Sequence, residues 1–251
     1  MNAEIIAVGS ELLTAGRIDT NSLWLTARLN ELGVEVAAKS VVGDDRARLA
    51  AHFQNALARS DVVLLTGGLG PTEDDVTREA VAGALGRELV FHQELCDSIE
   101  ERFRRMGRRM ADNNRRQAFV IEGATVLPNS RGTAPGLYLA IDPAKAVALL
   151  PGPPRELQPM FEEQCLPLLR QLVPPMVIRT RWYRVAGMPE SDLDQLIAPV
   201  YTRYSNPVTT ILAKPGDIEI HLRARCESAE EADALLGEVA PRIEQLLGDS
   251  I

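Results

Sequence analysis

Short apolar runs alternate with amphipathic segments through the first 65 residues of the chain. The apolar runs over 4–8, 34–42 and 61–65 predict strands, and the last is nearly continuous, as is typical of a strand buried on both faces of a parallel sheet. The segments over 20–33 and 44–58 carry apolar residues at helical spacing. This alternation predicts an open parallel sheet with crossover helices, in which ligands bind beyond the carboxyl ends of the strands.

The remaining pattern predicts two domains. Strands over 136–141 and 147–150 and a helix over 156–172 complete the first, around a polar and mostly helical insertion over 93–122. Pro174 and Pro175 stop that helix. Beyond them the pattern predicts a strand at 177–185, a helix at 190–204, a strand pair at 208–213 and 218–225 turned by Lys214-Pro215-Gly216-Asp217, and a helix at 229–247. We therefore expect an α/β domain over residues 1–172 and a smaller α+β domain over 176–251.

Composition narrows the class of protein. The 251 residues carry 35 acidic and 27 basic side chains, a net charge of −8, which argues against bulk binding of nucleic acid. No apolar run approaches the roughly 20 residues of a membrane span, and the N-terminus lacks the basic start of a signal peptide, so we expect a cytoplasmic protein without a membrane partner. Cys96, Cys165 and Cys226 lack the spacing of a disulfide framework or a zinc site.

The loop after the third predicted strand carries the strongest chemical signal. It contains Gly67, Gly68 and Gly70, which let a phosphate approach the main chain, and it leads into a helix expected to begin near Thr72. The loop lacks the Gly-Lys-Ser/Thr of a P-loop, and its glycine spacing differs from the Gly-x-Gly-x-x-Gly of dinucleotide sites. We interpret it as a phosphate-binding loop.

Carboxylates follow the same strands. Asp44 and Asp45 end the second strand, Glu11 follows the first, and Asp74 and Asp75 close the glycine loop. Carboxylates without clustered cysteine or histidine suit Mg²⁺ or Mn²⁺ shared with substrate phosphates, and one aspartate would orient or deprotonate a nucleophile. Asp75 has an alternative, because its spacing from Thr72 also fits a capping box, in which the acid only bonds a backbone N–H.

Two later loops and an arginine-rich segment complete the candidate chemistry. Arg131 would supply a planar charge for phosphate, and a proline-locked loop would hold backbone amides and Glu156 at the same rim, although both loops are also explained as plain turns. The arginines within 102–109 form a solvated helix face, or receive a phosphorylated ligand or a partner subunit.

Four motifs occur in order along the chain: Gly9-x-Glu11-Leu12-Leu13, Thr66-Gly67-Gly68-x-Gly70-Pro71-Thr72-x-Asp74-Asp75-x-Thr77, Asn129-x-Arg131-Gly132-Thr133-Ala134-Pro135-Gly136 and Leu150-Pro151-Gly152-x-Pro154-x-Glu156. Together they resemble the motifs of the CinA family of competence/damage-inducible proteins. The resemblance implies a three-layer α/β/α domain of the molybdopterin-binding, MoaB/MogA-like fold, followed by a KH-like domain. It also implies a homodimer and an ADP-ribose pyrophosphatase that depends on a divalent metal, Mg²⁺, Mn²⁺ or Co²⁺.

The resemblance also assigns roles. Asp44 and Asp75 match the active-site aspartates of the wider fold, and we expect Asp44, Asp74 and Asp75 to hold the metal. Substrate and phosphate would be bound by Ser10, Glu11, Gly67, Gly68, Gly70, Thr72, Arg131, Gly132, Thr133, Gly152, Pro154 and Glu156. Longer family members continue into an amidase domain that this chain stops before, so amidase activity is not expected. The KH-like module has no Gly-x-x-Gly clamp, which argues against RNA binding.

Three functions compete at this point. The first is hydrolysis of the pyrophosphate of ADP-ribose, or of a related nucleotide, to AMP and ribose 5-phosphate. The second is binding or adenylation of molybdopterin, and the third is a non-enzymatic partner role in DNA uptake or repair.

Overall fold

A computed structural model describes residues 1–174, 176–214 and 217–251, without the side chains of Lys214 and Asp249. The chain divides into two compact units, one of Met1–Asn30 with Val34–Pro174 and the other of Glu31–Gly33 with Pro175–Ile251. No helix of the described ranges is both long and apolar enough to cross a membrane. Cys96, Cys165 and Cys226 are free and buried, and burial raises the pKa of the Cys165 thiol to about 12.

The first unit alternates strands and helices. Its elements are β1 (Asn2–Val8), α1 (Thr20–Glu31), β2 (Glu35–Val42), α2 (Arg46–Arg59), β3 (Val62–Thr66), α3 (Thr77–Leu85), β4 (Leu89–Phe91), α4 (Gln93–Arg105), β5 (Phe119–Ile121), β6 (Thr125–Leu127), β7 (Gly136–Asp142), β8 (Lys145–Leu150), α5 (Pro154–Met160) and α6 (Leu166–Leu172). A π-helical turn over Phe161–Cys165 joins α5 to α6, so the helix expected over 156–172 is interrupted. Short 3₁₀ turns lie at Ser10–Leu13 and Asp112–Ala118.

A six-stranded sheet forms the centre of this unit, in the order β2-β1-β3-β8-β7-β6. The four strands β2, β1, β3 and β8 are parallel, whereas β7 runs antiparallel to both of its neighbours. The predicted mostly parallel α/β sheet is therefore confirmed. The sequence pattern missed β6 and the separate antiparallel pair β4–β5, because strands of three residues are too short to show a period.

Helices cover both faces of the sheet. All five residues of β3 are buried, as its apolar run predicts. Val63 and Leu65 share a core cluster with Phe53 of α2. Successive strand residues point to opposite faces, so Leu64 serves the other face. On α1, Trp24 packs edge-on against Phe161, with ring centroids 5.6 Å apart.

Helix starts show where local signals were sufficient. The helix expected from residue 44 begins at Arg46, and the Asp45 side chain caps it by accepting a hydrogen bond from the N–H of Arg48 at 2.8 Å. The prediction that a helix begins near Thr72 is wrong, because α3 begins only at Thr77. The carboxylate of Asp75 bonds the N–H groups of Gly70 and Thr72, and these contacts fold the intervening residues into a turn.

The second unit has the predicted β-α-β-β-α order. Its elements are β9 (Val177–Val185), α7 (Glu190–Tyr201), β10 (Val208–Lys214), β11 (Asp217–Cys226) and α8 (Ala229–Leu247). The sheet order is β10-β11-β9, with both pairs antiparallel, and Leu222, Ile197 and Val239 share its core. The predicted turn over 214–217 includes Pro215 and Gly216, which lie outside the described residues, as does Pro175 at the expected boundary.

Candidate functional site

A cavity of about 840 Å³ lies where the four parallel strands of the first unit end. Gly9 after β1, Asp44 after β2, the glycine loop after β3, and residues 151–156 after β8 all line it. The cavity therefore occupies the edge of the sheet at which open α/β folds bind ligands.

The candidate residues converge on this cavity. Those that line it are Glu11, Asp44, Gly67, Gly68, Gly70, Thr72, Asp74, Asp75, Arg131, Gly132, Thr133, Gly152, Pro154 and Glu156. Ser10 lies behind them and holds Asp44, since the Ser10 N–H donates to Asp44 Oδ2 at 2.8 Å and the Asp44 N–H donates to Ser10 Oγ at 3.1 Å. The fold thus brings these loops together, although their chemical roles stay predictions.

The conformation of the glycine loop requires glycine at two positions. Gly67 and Gly68 have φ angles of +97° and +65°, in the left-handed region that favours glycine. A Cβ atom on Gly67 would lie 2.3 Å from the carbonyl oxygen of Val8, and one on Gly68 would lie 2.2 Å from Thr77 Oγ1. Thr77 Oγ1 donates to the Gly67 carbonyl at 2.8 Å, which ties the loop to the start of α3. Both glycines are therefore required for the loop to pack this closely against β1 and α3 at the wall of the cavity.

A buried arginine supports the loop from behind. Arg78 is 1% exposed, and its Nη1 and Nη2 donate to the carbonyl oxygens of Leu69 and Gly70 at 2.8 and 3.1 Å. Burial lowers the pKa of the guanidinium, and the neighbouring carboxylates Glu79 and Asp75 oppose that effect. Sequence reasoning missed Arg78. The usable signal was its spacing of three residues from Val81, which places a charged residue on the same helix face as an apolar one.

The carboxylate of Asp75 is occupied by its own loop. Oδ1 accepts from the Gly70 N–H at 2.7 Å, and Oδ2 accepts from both the N–H and the hydroxyl of Thr72. The bond from the Thr72 N–H is the one that the capping-box alternative requires, and it forms without a helix at Thr72. Asp75 thus shapes the loop while it faces the cavity.

Five further acidic residues line the cavity, namely Glu11, Asp19, Asp44, Asp74 and Glu156. Hydrogen bonds from Thr72 and from a backbone N–H lower the pKa of Asp74, which keeps it ionised at neutral pH. Across the described ranges, no three His, Cys, Asp or Glu side chains form a ready-made metal cage. Mg²⁺ usually takes one or two carboxylates plus substrate phosphates, and this donor set fits that arrangement.

Two asparagines organise the surrounding loops. Asn21 of α1 is 8% exposed and donates from Nδ2 to the Gly152 carbonyl at 2.7 Å, while its Oδ1 is buried without a hydrogen-bond partner among the described residues. Nothing in the local pattern around Asn21 marked it, because its partner lies 131 residues away.

Asn129 organises the other loop. Its Oδ1 accepts from the N–H groups of Arg131 and Gly132 at 3.0 and 2.6 Å, and its Nδ2 donates to Glu156 Oε2 at 2.9 Å. The carboxylate of Glu156 lies so close to Gly132 that a Cβ atom there would collide with it. Glu156 therefore braces the loop that carries Arg131.

The family comparisons agree with this fold. Residues 4–171 match the family described as "Probable molybdopterin binding domain", and residues 180–251 match the "Damage-inducible protein CinA KH domain". The sheet and its loop-lined cavity thus define the class: an α/β molybdopterin-binding-type domain followed by a small α+β domain.

Individual relatives define the family. A CinA-like protein of Solibacter usitatus is 64% identical over 251 residues, and one of Koribacter versatilis is 49% identical over 254 residues. This chain matches over its full length but spans only 60% and 61% of theirs. The crystal structure of CinA from Thermoplasma acidophilum, whose function is described as unknown, is 31% identical with a TM-score of 0.62, over 67% of this chain and 99% of that one. The chain belongs to the CinA family.

Proposed function

We propose that the first unit hydrolyses the pyrophosphate of ADP-ribose, or of a related nucleotide, to AMP and ribose 5-phosphate. The observation that carries the proposal is that the glycine loop and several carboxylates line one cavity of about 840 Å³. A glycine loop binds phosphate through its main chain, and the carboxylates would repel a bare diphosphate. The combination favours a diphosphate that arrives with a divalent cation.

The residues divide the work as follows. The main chain of Gly68 would bind one phosphate, since the N–H groups of Gly67 and Gly70 already bond Leu150 and Asp75, and Arg131 would contact the other. Asp74, together with the substrate phosphates, would hold the cation, Mg²⁺, Mn²⁺ or Co²⁺, which neutralises phosphate charge when bound. Asp75 keeps the loop in its binding conformation.

Asp44 is the proposed general base. Its Oδ2 is held by the Ser10 N–H, which leaves Oδ1 to accept a proton from the attacking water. The water oxygen bonds to one phosphorus, the bond from that phosphorus to the bridging oxygen breaks, and the leaving phosphate takes up a proton.

Adjacent aspartates offer a matched test. Asp44 lines the cavity, whereas Asp45 caps α2. We expect Asp44→Asn to lower kcat for ADP-ribose by about 10²-fold or more, because a positioned base contributes at least that much. Asp45→Asn keeps a good capping residue and should stay within about twofold of the parent. Release of AMP is measured by chromatography with each metal. Equal turnover by Asp44→Asn and the parent would remove the mechanism.

A second candidate is binding or adenylation of molybdopterin, and the match to a probable molybdopterin binding domain favours it. It predicts that molybdopterin binds more tightly than ADP-ribose and that ATP is consumed. Calorimetry with both ligands distinguishes this function from the hydrolysis of ADP-ribose.

We also propose a homodimer, which light scattering of the purified chain tests. A non-enzymatic partner role would instead survive loss of Asp44.

A further inference from the structure

A second recess of about 370 Å³ lies between α4 and the loop over residues 128–135. We infer that this α4 recess binds a planar heteroaromatic ring, such as a nucleobase, of the ligand whose phosphates occupy the main cavity. The inference rests on the proposed function only in taking that ligand to be a nucleotide. It adds the part of the molecule that selects the base.

The two spaces are neighbours. Arg102, Met106, Gly132 and Thr133 line both the recess and the main cavity. A ligand anchored at the glycine loop can therefore extend into the recess along these four side chains and backbones. The recess volume is within the roughly 300–1,000 Å³ range of small-molecule sites.

The walls of the recess are apolar on two sides. Leu95, Ile99 and Met106 line it from the α4 side, and Pro128 and Pro135 line it from the loop. Walls of this kind gain by covering a flat apolar surface and offer nothing to a phosphate. They suit the faces of an aromatic ring.

The charges of the recess point the same way. Arg102 Nη1 donates to the carbonyl oxygens of Asn129 and Ser130 at 3.3 and 3.1 Å, which holds its guanidinium at the junction of the two spaces. Arg105 Nε bonds Glu101 Oε1 at 3.0 Å, and the same carboxylate also pairs with Arg104. A planar guanidinium stacks on aromatic faces. Arg102 can therefore cover one face of a ring that sits in the recess.

Two tryptophan substitutions on α4 test the inference. Ser98 is exposed and lines the recess but not the main cavity, so Ser98→Trp should fill the recess without altering charge. Gln93→Trp places the same side chain at an exposed position of α4 outside both linings. Ser98→Ala leaves the recess open. Binding of AMP, ribose 5-phosphate and inorganic pyrophosphate to each full chain is measured by calorimetry.

We expect Ser98→Trp to weaken AMP binding about tenfold or more and to leave pyrophosphate binding within about twofold, while Gln93→Trp and Ser98→Ala change neither. Unchanged AMP binding by Ser98→Trp overturns the inference. An equal loss for AMP and pyrophosphate also overturns it, because the recess would then hold an anion. A parent chain that binds AMP through the recess but never hydrolyses ADP-ribose removes the proposed function and keeps the inference.

Discussion

Arg78 and Asp75 grip the same peptide unit of the glycine loop from opposite sides. Arg78 Nη1 donates to the carbonyl oxygen of Leu69 at 2.8 Å, and Asp75 Oδ1 accepts from the N–H of Gly70 at 2.7 Å. That peptide plane is therefore fixed before any ligand arrives. A loop whose conformation is already set loses less entropy when it binds phosphate.

Replacing the buried arginine should loosen the loop. Arg78→Met keeps much of the side-chain volume but leaves the carbonyls of Leu69 and Gly70 without their donor, so we expect the free energy of unfolding to fall by about 1–3 kcal/mol. Pyrophosphate binding should weaken with it. Arg87→Met is the control, because Arg87 Nη1 donates to the Glu122 carbonyl at an exposed position. Urea unfolding measures stability, and calorimetry measures pyrophosphate binding. Equal stability of the two variants would contradict the proposed role of Arg78 in stabilising the loop.

Substitutions should distinguish the roles of the neighbouring aspartates Asp74 and Asp75. Asp75→Asn keeps one acceptor oxygen and turns the other into an NH₂ donor, so the N–H of either Gly70 or Thr72 loses its partner, and we expect a loss of about 1–3 kcal/mol in unfolding free energy together with weaker phosphate binding. Asp74 is exposed, so Asp74→Asn should leave stability within about 0.5 kcal/mol and lower only the affinity for Mn²⁺ in the presence of nucleotide. Thermal unfolding and metal titration decide between the roles. If Asp74→Asn binds Mn²⁺ normally, Asp74 is not a ligand.

Two glycines with nearly the same φ angle provide a sharper comparison. Gly68 and Gly86 have φ angles of +65° and +64°, but a Cβ atom on Gly68 would meet Thr77 Oγ1 at 2.2 Å, whereas one on Gly86 would meet nothing within 4 Å. Gly86→Ala should cost about 1–2 kcal/mol for the left-handed conformation alone. Gly68→Ala adds the collision and should cost about 2–5 kcal/mol.

Phosphate binding distinguishes the two glycine variants further. Gly86→Ala should bind pyrophosphate as the parent does, because Gly86 ends α3 away from the cavity. Gly68→Ala should bind it weakly if at all. Normal pyrophosphate binding by a folded Gly68→Ala protein would place the phosphate elsewhere.

A buried carboxylate on β1 makes stability depend on pH. Glu4 is 2% exposed, and its oxygens accept from Arg59 Nε and Nη2 at 2.6 and 2.9 Å and from Ser60 Oγ at 2.8 Å. The Arg59 hydrogen bond lowers the pKa of Glu4 from 4.5, against the opposing effect of burial. A lowered pKa in the folded state means that this stabilisation is present above pH 4.5 and is lost as pH falls through the lower folded value.

Glu4→Gln should therefore be less stable than the parent at pH 7, by about 1–3 kcal/mol, with a gap that narrows in acid. Urea unfolding at pH 7 and pH 3 measures the gap. The exposed Glu94→Gln is the control and should change stability by less than about 0.5 kcal/mol at either pH. A gap for Glu4→Gln that is constant with pH would contradict the ionic role.

Local sequence signals predicted much of this architecture. The continuous apolar run of β3 predicted a strand buried on both faces, the pair Asp44 and Asp45 predicted the start of α2, and the change of pattern after Pro174 predicted the β-α-β-β-α order of the second unit. Each signal depends on residues that are close together in the sequence. Such signals therefore do not depend on the tertiary contacts of the rest of the molecule.

The local signal at Thr72 was misleading for the same reason. Thr72 and Asp75 have the spacing of a helix cap, and the Thr72 N–H does bond the Asp75 carboxylate, yet α3 begins only at Thr77. Asp75 also bonds Gly70, and Thr77 bonds the carbonyl of Gly67. These contacts close a turn that the spacing alone does not distinguish from a helix start.

The sequence by itself therefore determined the order of strands and helices, the glycine loop, the carboxylates of the cavity and the family resemblance. Only the tertiary structure decided that Arg78 supports the loop, that Asn21 of α1 reaches Gly152, and that α4 closes a recess beside the cavity. The physical reason is that hydrophobic period and turn chemistry act between near neighbours. The partner of a buried polar group is set by which distant segments the folded sheet brings together.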